Sequence, residues 1–304
     1  MDTMRVAVTG SSGLIGEALV ASLEADGHRV HRVTRSTRSA GPDDVVWDPM
    51  GGRVDTSRLE GTDAVVHLAG EPIGDRRWSD EVKRAIHDSR SVGTRTLAEA
   101  LAGLRQPPRV LVSGSAVGYY GDRGDEVLTE TSSPGHDFMA RVTVDWEVAA
   151  TPAADAGIRV VHPRTGVVMA EHGPLIEKVR LPFKLGVGGK VGNGRQYVSW
   201  IALEDEVRAL RFLIDREISG PVNLTAPEPV TNAEFTSALG DVMHRPTVMP
   251  IPVLAIKALY GEMGTSLATV SQRVIPQVLE DAGFEFRHRT IRSALEVALG
   301  DAAA

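Results

Sequence analysis

Residues 6–16 read Val6-Ala-Val-Thr-Gly-Ser-Ser-Gly-Leu-Ile-Gly16, and this stretch is the main indication of the architecture of the whole chain. The apolar run 6–8 is typical of a buried β-strand, and apolar residues at helical spacing follow the last glycine. Between them, Gly10 permits a tight turn, Gly13 lets the backbone approach a pyrophosphate, and Gly16 lets the helix pack closely on the strand. The free N–H groups at the start of that helix would favour phosphate. The spacing G-x-x-G-x-x-G therefore predicts a dinucleotide-binding turn, with a purely structural turn as the alternative.

A regular alternation of short apolar runs and amphipathic segments continues to Val168. We predict strands near 28–33, 45–47, 64–70, 109–114 and 159–162, and helices near 14–25, 79–102 and 138–150. This alternation is typical of a parallel, doubly wound α/β sheet, whose strands all end at one ligand-binding edge.

The pattern changes after Val168. Residues 171–200 are rich in Gly and Pro and predict loops with a small β-ribbon, in which Asn193-Gly194 would form a type I′ turn. A helix around 207–214, a strand at 221–224 and helices near 231–243, 252–260, 271–282 and 290–299 are expected to follow. The predicted fold is a Rossmann-type α/β domain over 1–168, with its core completed by about 201–226. A smaller, mainly helical substrate region would comprise 169–200 and 227–304.

Composition narrows the functional class. The chain has 304 residues, 42% of them hydrophobic, a net charge of −7 and no cysteine. The acidic balance argues against nucleic acid or an anionic membrane surface as a partner, and the lack of cysteine excludes disulfides and a thiol nucleophile. No apolar run approaches the ~20 residues of a membrane span. We expect a cytoplasmic protein with a small-molecule substrate and no metal, since no metal-ligand spacing occurs; the oligomeric state is left open.

The residues after the second strand indicate which nicotinamide cofactor would fit. NAD-binding folds place an acidic residue there, whereas this chain reads Val33-Thr-Arg-Ser36, then Arg38, with no carboxylate before Asp43. A guanidinium pairs well with a phosphate dianion. The sequence therefore favours NADP(H), with solvated loop arginines as the alternative.

The segment Ser113-Gly-Ser-Ala-Val-Gly-Tyr-Tyr-Gly-Asp122 completes a resemblance to the extended short-chain dehydrogenase/reductase superfamily. More narrowly, the chain resembles the sugar-nucleotide epimerase-like "epimerase family" proteins of the NAD-dependent epimerase/dehydratase group, including their C-terminal module. The matching motifs are Thr9–Gly16, His67–Glu71, Asp88–Arg90, Tyr119–Gly121, Asp145–Glu147, Pro163–Val168, Leu181–Gly186, Ser199–Ile201, Thr231–Phe235, Ser271–Pro276 and Ala282–Phe284.

The resemblance implies a set of cofactor contacts. On the pyrophosphate it places Gly10, Ser11, Ser12, Gly13, Leu14, Ile15 and Gly16. Thr34 and Arg35 would lie at the ribose that carries the 2′-phosphate. Leu68 and Ala69 would lie along the cofactor, Arg90 would reach it from the following helix, and Val168 would lie near the nicotinamide. For Leu68, Ala69 and Val168, buried packing is an equally compatible role.

One departure from the superfamily pattern bears on chemistry. The superfamily uses Tyr-x-x-x-Lys, in which the lysine lowers the pKa of the phenol that passes the proton. The corresponding helix here, Phe138–Glu147, contains no tyrosine, and no lysine occurs between Lys83 and Lys178.

Substitute groups for the proton transfer must come from elsewhere. Tyr119 and Ser113, on the segment after the fifth strand, are the candidate catalytic residues, with Ser115 as a further hydroxyl and either Arg141 or the nicotinamide itself as the candidate cation beside the phenol. Packing or substrate stacking is the alternative role for Tyr119, and Ser113 could line the pocket without chemistry. The resemblance implies an NADP(H)-dependent epimerase, dehydratase or reductase that acts by hydride transfer. A catalytically reduced NADP(H)-binding sensor or regulator is the alternative.

Overall fold

The computed structural model describes residues 3–35 and 40–300, so Arg38 of the cofactor prediction lies outside it. The strands are β1 (Arg5–Thr9), β2 (Arg29–Thr34), β3 (Val45–Asp48), β4 (Arg53–Val54), β5 (Ala64–His67), β6 (Val110–Ser113), β7 (Ser115–Ala116), β8 (Val127–Leu128), β9 (Arg159–Thr165), β10 (Val167–Met169), β11 (Tyr197–Val198), β12 (Trp200–Ala202), β13 (Gly220–Leu224), β14 (Val230–Thr231) and β15 (Arg273–Val274). The helices are α1 (Leu14–Ala25), α2 (Asp80–Ala102), α3 (Phe138–Val148), α4 (Thr151–Asp155), α5 (Pro174–Lys184), α6 (Leu203–Asp215), α7 (Asn232–Val242), α8 (Val253–Ala268), α9 (Gln277–Asp281) and α10 (Ile291–Leu299).

Nine strands of the described residues form one sheet in the order β13-β9-β6-β5-β1-β2-β3-β4, with β7 also paired to β9. These pairings are parallel except that of β3 with β4. The central strands β1, β5 and β6 are buried along almost their whole length, as continuous apolar runs in a sheet covered on both faces should be. Because the strands are parallel, β1, β2, β5, β6 and β9 all end at one edge.

Helices cover both faces of the sheet. On one face α1 and α6 pack together, with Leu19 and Leu23 in the same core as Leu210 and Leu213. On the other, α2 contributes Leu97 and Leu101 and packs against α3 and α4. The predicted Rossmann-type α/β fold with a mainly helical C-terminal region is confirmed.

The region after Val168 differs from the prediction in several elements. Residues 174–184 form helix α5, with Ile176 and Phe183 buried, although Pro174 and Pro182 made this segment look like a loop. A proline in the first turn costs a helix no hydrogen bond, and Gly173 is the N-cap. The predicted helix 271–282 is wrong over its first half. The chain there forms β15, and helix α9 begins only after Pro276, because proline disfavours helical backbone in the residue before it.

The predicted ribbon around Asn193-Gly194 is also wrong. Positive φ angles occur at Gly192 (59°) and Gly194 (74°) rather than at Asn193, which a type I′ turn would require. The partners are distant in sequence: β11 pairs with β14, and Val191 bridges to Ile251. Helix α8 is longer than predicted and is kinked at Gly261, whose φ is 64°.

The segment 271–278, which we call the C-terminal strap, returns to the carboxyl edge of the sheet. There β15 pairs in parallel with β8, and the Gln272 side chain donates to the carbonyl of Val117 at 2.9 Å. The strap thereby joins the C-terminal region to the loops that follow β6. In the described part of the chain, no helix combines the length and apolar character needed to cross a bilayer.

Candidate functional site

The glycine turn after β1 has the shape of a phosphate cradle. Gly10 has a φ of 65°, and a Cβ there would lie 2.8 Å from the carbonyl carbon of Leu68. A Cβ on Gly16 would overlap the carbonyl oxygen of Gly10, so both positions need glycine. Gly13 is the N-cap of α1 and has no side chain to cover the first helical N–H groups. The backbone of 11–15 is thus presented at a helix N-terminus, where an anion binds well.

The end of β2 carries the exposed Arg35 next to the half-buried Thr34. The acids that follow in sequence have other partners: Asp43 pairs with Arg58 at 3.4 Å, Asp44 accepts from the N–H of Gly41 at 2.8 Å, and Asp48 pairs with Arg53 at 2.8 Å. Arg35 is therefore the charged residue that directly follows β2.

His67, at the end of β5, holds the Leu68–Ala69 turn against the glycine turn. The Thr9 hydroxyl accepts hydrogen bonds from the N–H groups of Leu68 (3.0 Å) and Ala69 (3.1 Å) and lies 2.7 Å from Nδ1 of His67. The hydroxyl hydrogen is then left for Nδ1, so Nε2 carries the ring proton and donates to Thr94 at 2.9 Å. Burial, with a smaller contribution from the charge of Arg90, lowers the pKa of His67 to about 4 and keeps the ring neutral.

Arg90 reaches the same turn from α2. Its guanidinium donates to the carbonyl of Glu71 at 3.0 Å and lies 5.0 Å from the ring centre of Trp146 on α3. Burial lowers its pKa to about 10, so it remains a cation at neutral pH. A Cβ on Gly70, directly after Leu68 and Ala69, would lie 3.2 Å from the guanidinium carbon of Arg90.

Tyr119 lies in a short 3-10 turn after β7, beside a buried ion pair. Arg164 on β9 binds Glu147 on α3 through two hydrogen bonds of 2.8 and 2.9 Å, and its guanidinium carbon is 3.4 Å from the ring centre of Tyr119. Burial opposes the charge of Arg164, but Glu147 outweighs that effect and raises its pKa above the usual value. The cation beside Tyr119 is therefore Arg164; the suggested Arg141 instead donates to the carbonyl of His136.

Tyr120 has a different environment from Tyr119. It is fully buried, donates to Asn223 at 2.6 Å and accepts from Arg164 at 3.1 Å, and burial raises its pKa to about 12. Tyr120 is therefore a fixed, neutral phenol in the interior, whereas Tyr119 is half-buried.

The two serines of this segment are enclosed. Ser113 is 0% exposed and its hydroxyl has no partner among the described residues, while Ser115 donates to Glu147 at 2.6 Å. Val168 lies half-buried on β10, paired with Ile201, at the far end of the same edge. The structure thus brings the sequence-predicted residues together along the carboxyl edge, from Arg35 through the glycine turn to Tyr119 and Val168.

Sequence reasoning missed the pairing of Glu147 with Arg164. Both belong to motifs recognised in the sequence, Asp145-Trp-Glu147 and Pro163-Arg-Thr165, but nothing in either motif names its partner. A carboxylate on the helix after β6 and an arginine on the next apolar strand were the available signal.

The fold and this edge define a nucleotide-binding protein of the extended short-chain dehydrogenase/reductase type. Residues 6–224 match the model of the NAD dependent epimerase/dehydratase family, and residues 251–298 match a domain of unknown function, DUF1731. The chain belongs to the NAD dependent epimerase/dehydratase family.

Curated relatives and solved structures agree with this assignment. An epimerase family protein of Mycobacterium bovis is 47% identical over 95% of this chain and 96% of its own length. The crystal structure of human epimerase family protein SDR39U1 with NADPH has a TM-score of 0.89 at 34% identity, covering 97% of this chain and 99% of that one. A nucleoside-diphosphate sugar epimerase from Corynebacterium glutamicum has a TM-score of 0.80 at 38% identity, covering 99% of this chain and 59% of that one.

Proposed function

We propose that this protein binds NADP(H) along the carboxyl edge of its sheet and catalyses hydride transfer with a carbonyl or hydroxyl substrate, such as a sugar nucleotide. The observation that carries the proposal is the glycine cradle with Arg35 at the neighbouring strand end. The similar human protein, whose crystal structure contains NADPH, supports the choice of cofactor.

The residues present fit such a cofactor. The backbone of Gly10–Gly16, with the hydroxyls of Ser11 and Ser12, would hold the pyrophosphate, and Thr34 and Arg35 would hold the 2′-phosphate. Leu68, Ala69 and Arg90 would contact its middle, and Val168 would lie at the nicotinamide end. When bound, the cofactor supplies or accepts the hydride.

The proton of the reaction must come from this chain or from water. Tyr119 is the phenol at this edge that is not fixed in the interior, and Arg164 holds its ring by cation–π stacking. We assign the proton transfer to Tyr119, and we assign no contact with the substrate to Ser113, because its hydroxyl is enclosed.

A cofactor-binding sensor is the second candidate function. Helix α3 presents Met139 and Thr143 toward the turn that carries Tyr119, and neither side chain is the lysine of the usual pair. Both serine hydroxyls are also enclosed, so a binding protein without turnover would fit these features.

Isotope exchange distinguishes a hydride-transferring enzyme from a cofactor-binding sensor. NADPH labelled at the transferable hydrogen is incubated with the protein and a panel of sugar nucleotides and small carbonyl compounds. Transfer of label to any compound supports an enzyme. Tight NADPH binding without transfer across the panel supports the sensor and contradicts the proposed catalysis.

Cofactor preference gives a direct test of Arg35. We expect NADPH to bind at least tenfold tighter than NADH, or about 1.4 kcal/mol. Arg35→Ala should remove most of this preference and leave NADH affinity unchanged, because NADH lacks the 2′-phosphate. Equal affinities in the wild type, measured by fluorescence titration, would refute the NADP assignment.

A further inference from the structure

A lysine does reach the end of helix α3, although none occurs within that helix. Lys83 lies on the first turn of α2, and its ammonium group is 5.2 Å from the ring centre of Phe138, the first residue of α3. The same group is 6.0 Å from the ring centre of Trp78. Glu262 on α8 accepts from it through both carboxylate oxygens, at 2.6 and 2.7 Å.

The contacts between α2 and α3 show where Lys83 lies along its helix. Lys83 and Arg90 are seven residues apart on α2, and their aromatic partners Phe138 and Trp146 are eight apart on α3, so two cation–aromatic pairs stand two turns apart. Two turns of helix are about 10 Å. Arg90 lies at the level of Gly70 and the strand ends. Lys83 therefore lies about 10 Å further along α2 than Arg90, toward the helix N-terminus that follows the carboxyl edge of the sheet.

Two other cations lie on or beside residues 74–79, the segment that leads into α2. Arg77 donates to the carbonyl of Leu259 at 2.7 Å, and Lys178 donates to the carbonyl of Gly74. Among the described residues neither forms an ion pair, so these contacts do not neutralise their charge. Arg77 and Lys178 thus add positive charge near Lys83, although the acidic residues Asp75, Asp80 and Glu81 lie in or next to the same segment.

We propose that Lys83 is a substrate-binding residue whose ammonium group takes an anionic oxygen of the substrate, a carboxylate or a phosphate, in place of Glu262. The exchange costs little. The side chains of Lys83 and Glu262 are 25% and 51% exposed, and an ion pair that water can reach contributes little to stability. Trp78 and Phe138 keep the ammonium group in place while its partner changes. The inference rests on the proposed function only in requiring a substrate at this edge.

The test compares Lys83→Met, Lys83→Arg and Glu262→Gln with Arg292→Met, which breaks an exposed ion pair between α10 and α7. Calorimetry on NADPH-saturated protein measures binding of UDP-glucose, UDP and malate, which separates phosphate from carboxylate ligands. We expect at least one of them to bind. Lys83→Met should weaken its binding at least tenfold, Lys83→Arg less than threefold, and Glu262→Gln not at all, with NADPH affinity unchanged throughout.

Three results would overturn the proposal. They are wild-type affinity in folded Lys83→Met, an equal loss in Glu262→Gln and Lys83→Met, and no binding of any of the three ligands to the wild type. The second would mean that the pair serves only to hold α8. If Lys83→Met fails to fold, Lys83→Gln replaces it. Binding that depends on Lys83 without any hydride exchange would contradict the proposed catalysis but leave this inference intact.

Discussion

Gly13 and Gly16 are three residues apart in one motif, but the structure gives them separable tasks. A Cβ on Gly16 would overlap the backbone of Gly10, whereas a Cβ on Gly13 would lie 3.4 Å from the nearest atom, and the φ of Gly13, −86°, suits any residue. Gly13→Val should therefore fold and yet lose both cofactors, because its side chain would occupy the place of the pyrophosphate. Circular dichroism and NADPH titration are the measurements. Normal NADPH binding in the folded variant would show that the cradle has been misread.

Tyr119 gives the residue-scale test of chemistry. Tyr119→Phe keeps the ring on Arg164 and removes only the hydroxyl, so turnover should fall by roughly the 10²–10⁴-fold typical of a general acid–base group. NADPH affinity should stay nearly unchanged, and Tyr120→Phe serves as the contrasting variant that disturbs the interior. Unaltered turnover would move the proton transfer to water or to the substrate.

At this scale, the role of a residue could be predicted from the sequence when that role depends on its neighbours in the chain. The glycine turn and Arg35 were predictable because local spacing and position after a strand give their roles. The stacking of Arg164 on Tyr119 and the contact of Lys83 with Phe138 join residues 45 and 55 positions apart. No local pattern encodes such contacts, so a search for lysine within α3 could not find Lys83.

At the scale of elements, helix α8 depends on its kink. Gly261 has φ 64° and ψ −147°, and among the described residues the only neighbour within 4 Å of an added Cβ is a carbon of Arg77 at 3.9 Å. Gly261→Ala has the space it needs but not the backbone conformation, so we expect a loss of about 1–3 kcal/mol in stability. Thermal unfolding measures the loss, and hydrogen exchange should rise in α8 first. Gly103→Ala, at a helix end with φ −83°, is the control and should be nearly neutral; an equal cost there would contradict the argument.

Helices and strands could be predicted from the sequence where a single physical rule determined the local structure. The continuous apolar runs of β1, β5 and β6 admit few alternatives to a buried parallel strand. Helix α5 was missed because Pro174 and Pro182 were taken as breakers, although the first stands where its missing N–H costs nothing. In the C-terminal strap, Arg273 and Val274 pair with β8, and a partner so distant in sequence overrides the local helical pattern.

At the scale of the molecule, buried ionisable groups set how stability depends on pH. Burial raises the pKa of Glu206, on α6, to about 8, and its one hydrogen bond among the described residues comes from Thr165 at 2.8 Å. The folded state therefore keeps a proton that the unfolded state releases above its ordinary pKa of 4.5. The free energy of unfolding should fall as pH rises from about 4.5 to 8.

Glu206→Gln isolates this contribution, because other titrating groups are common to both proteins. Gln resembles the protonated carboxyl and does not titrate, so the variant should be close to the wild type in stability near pH 5 and should become the more stable of the two as pH rises toward 8. Denaturant unfolding at both pH values measures it. A difference that does not change with pH would show that Glu206 is ionised in the folded protein.

The C-terminal strap has a consequence for how this family can be recombined. The match to the first family ends at residue 224 and the match to DUF1731 begins at residue 251. The stretch between them therefore looks like a natural site for exchanging modules between relatives. Yet Asn223 donates to the carbonyl of Ile275, and the buried Glu130 accepts from the N–H groups of both Asn223 and Val278. A chimera cut in that gap would keep these polar groups but receive a foreign segment to satisfy them. A hybrid should therefore be functional only when it takes positions 130 and 223 and the C-terminal strap from the same parent.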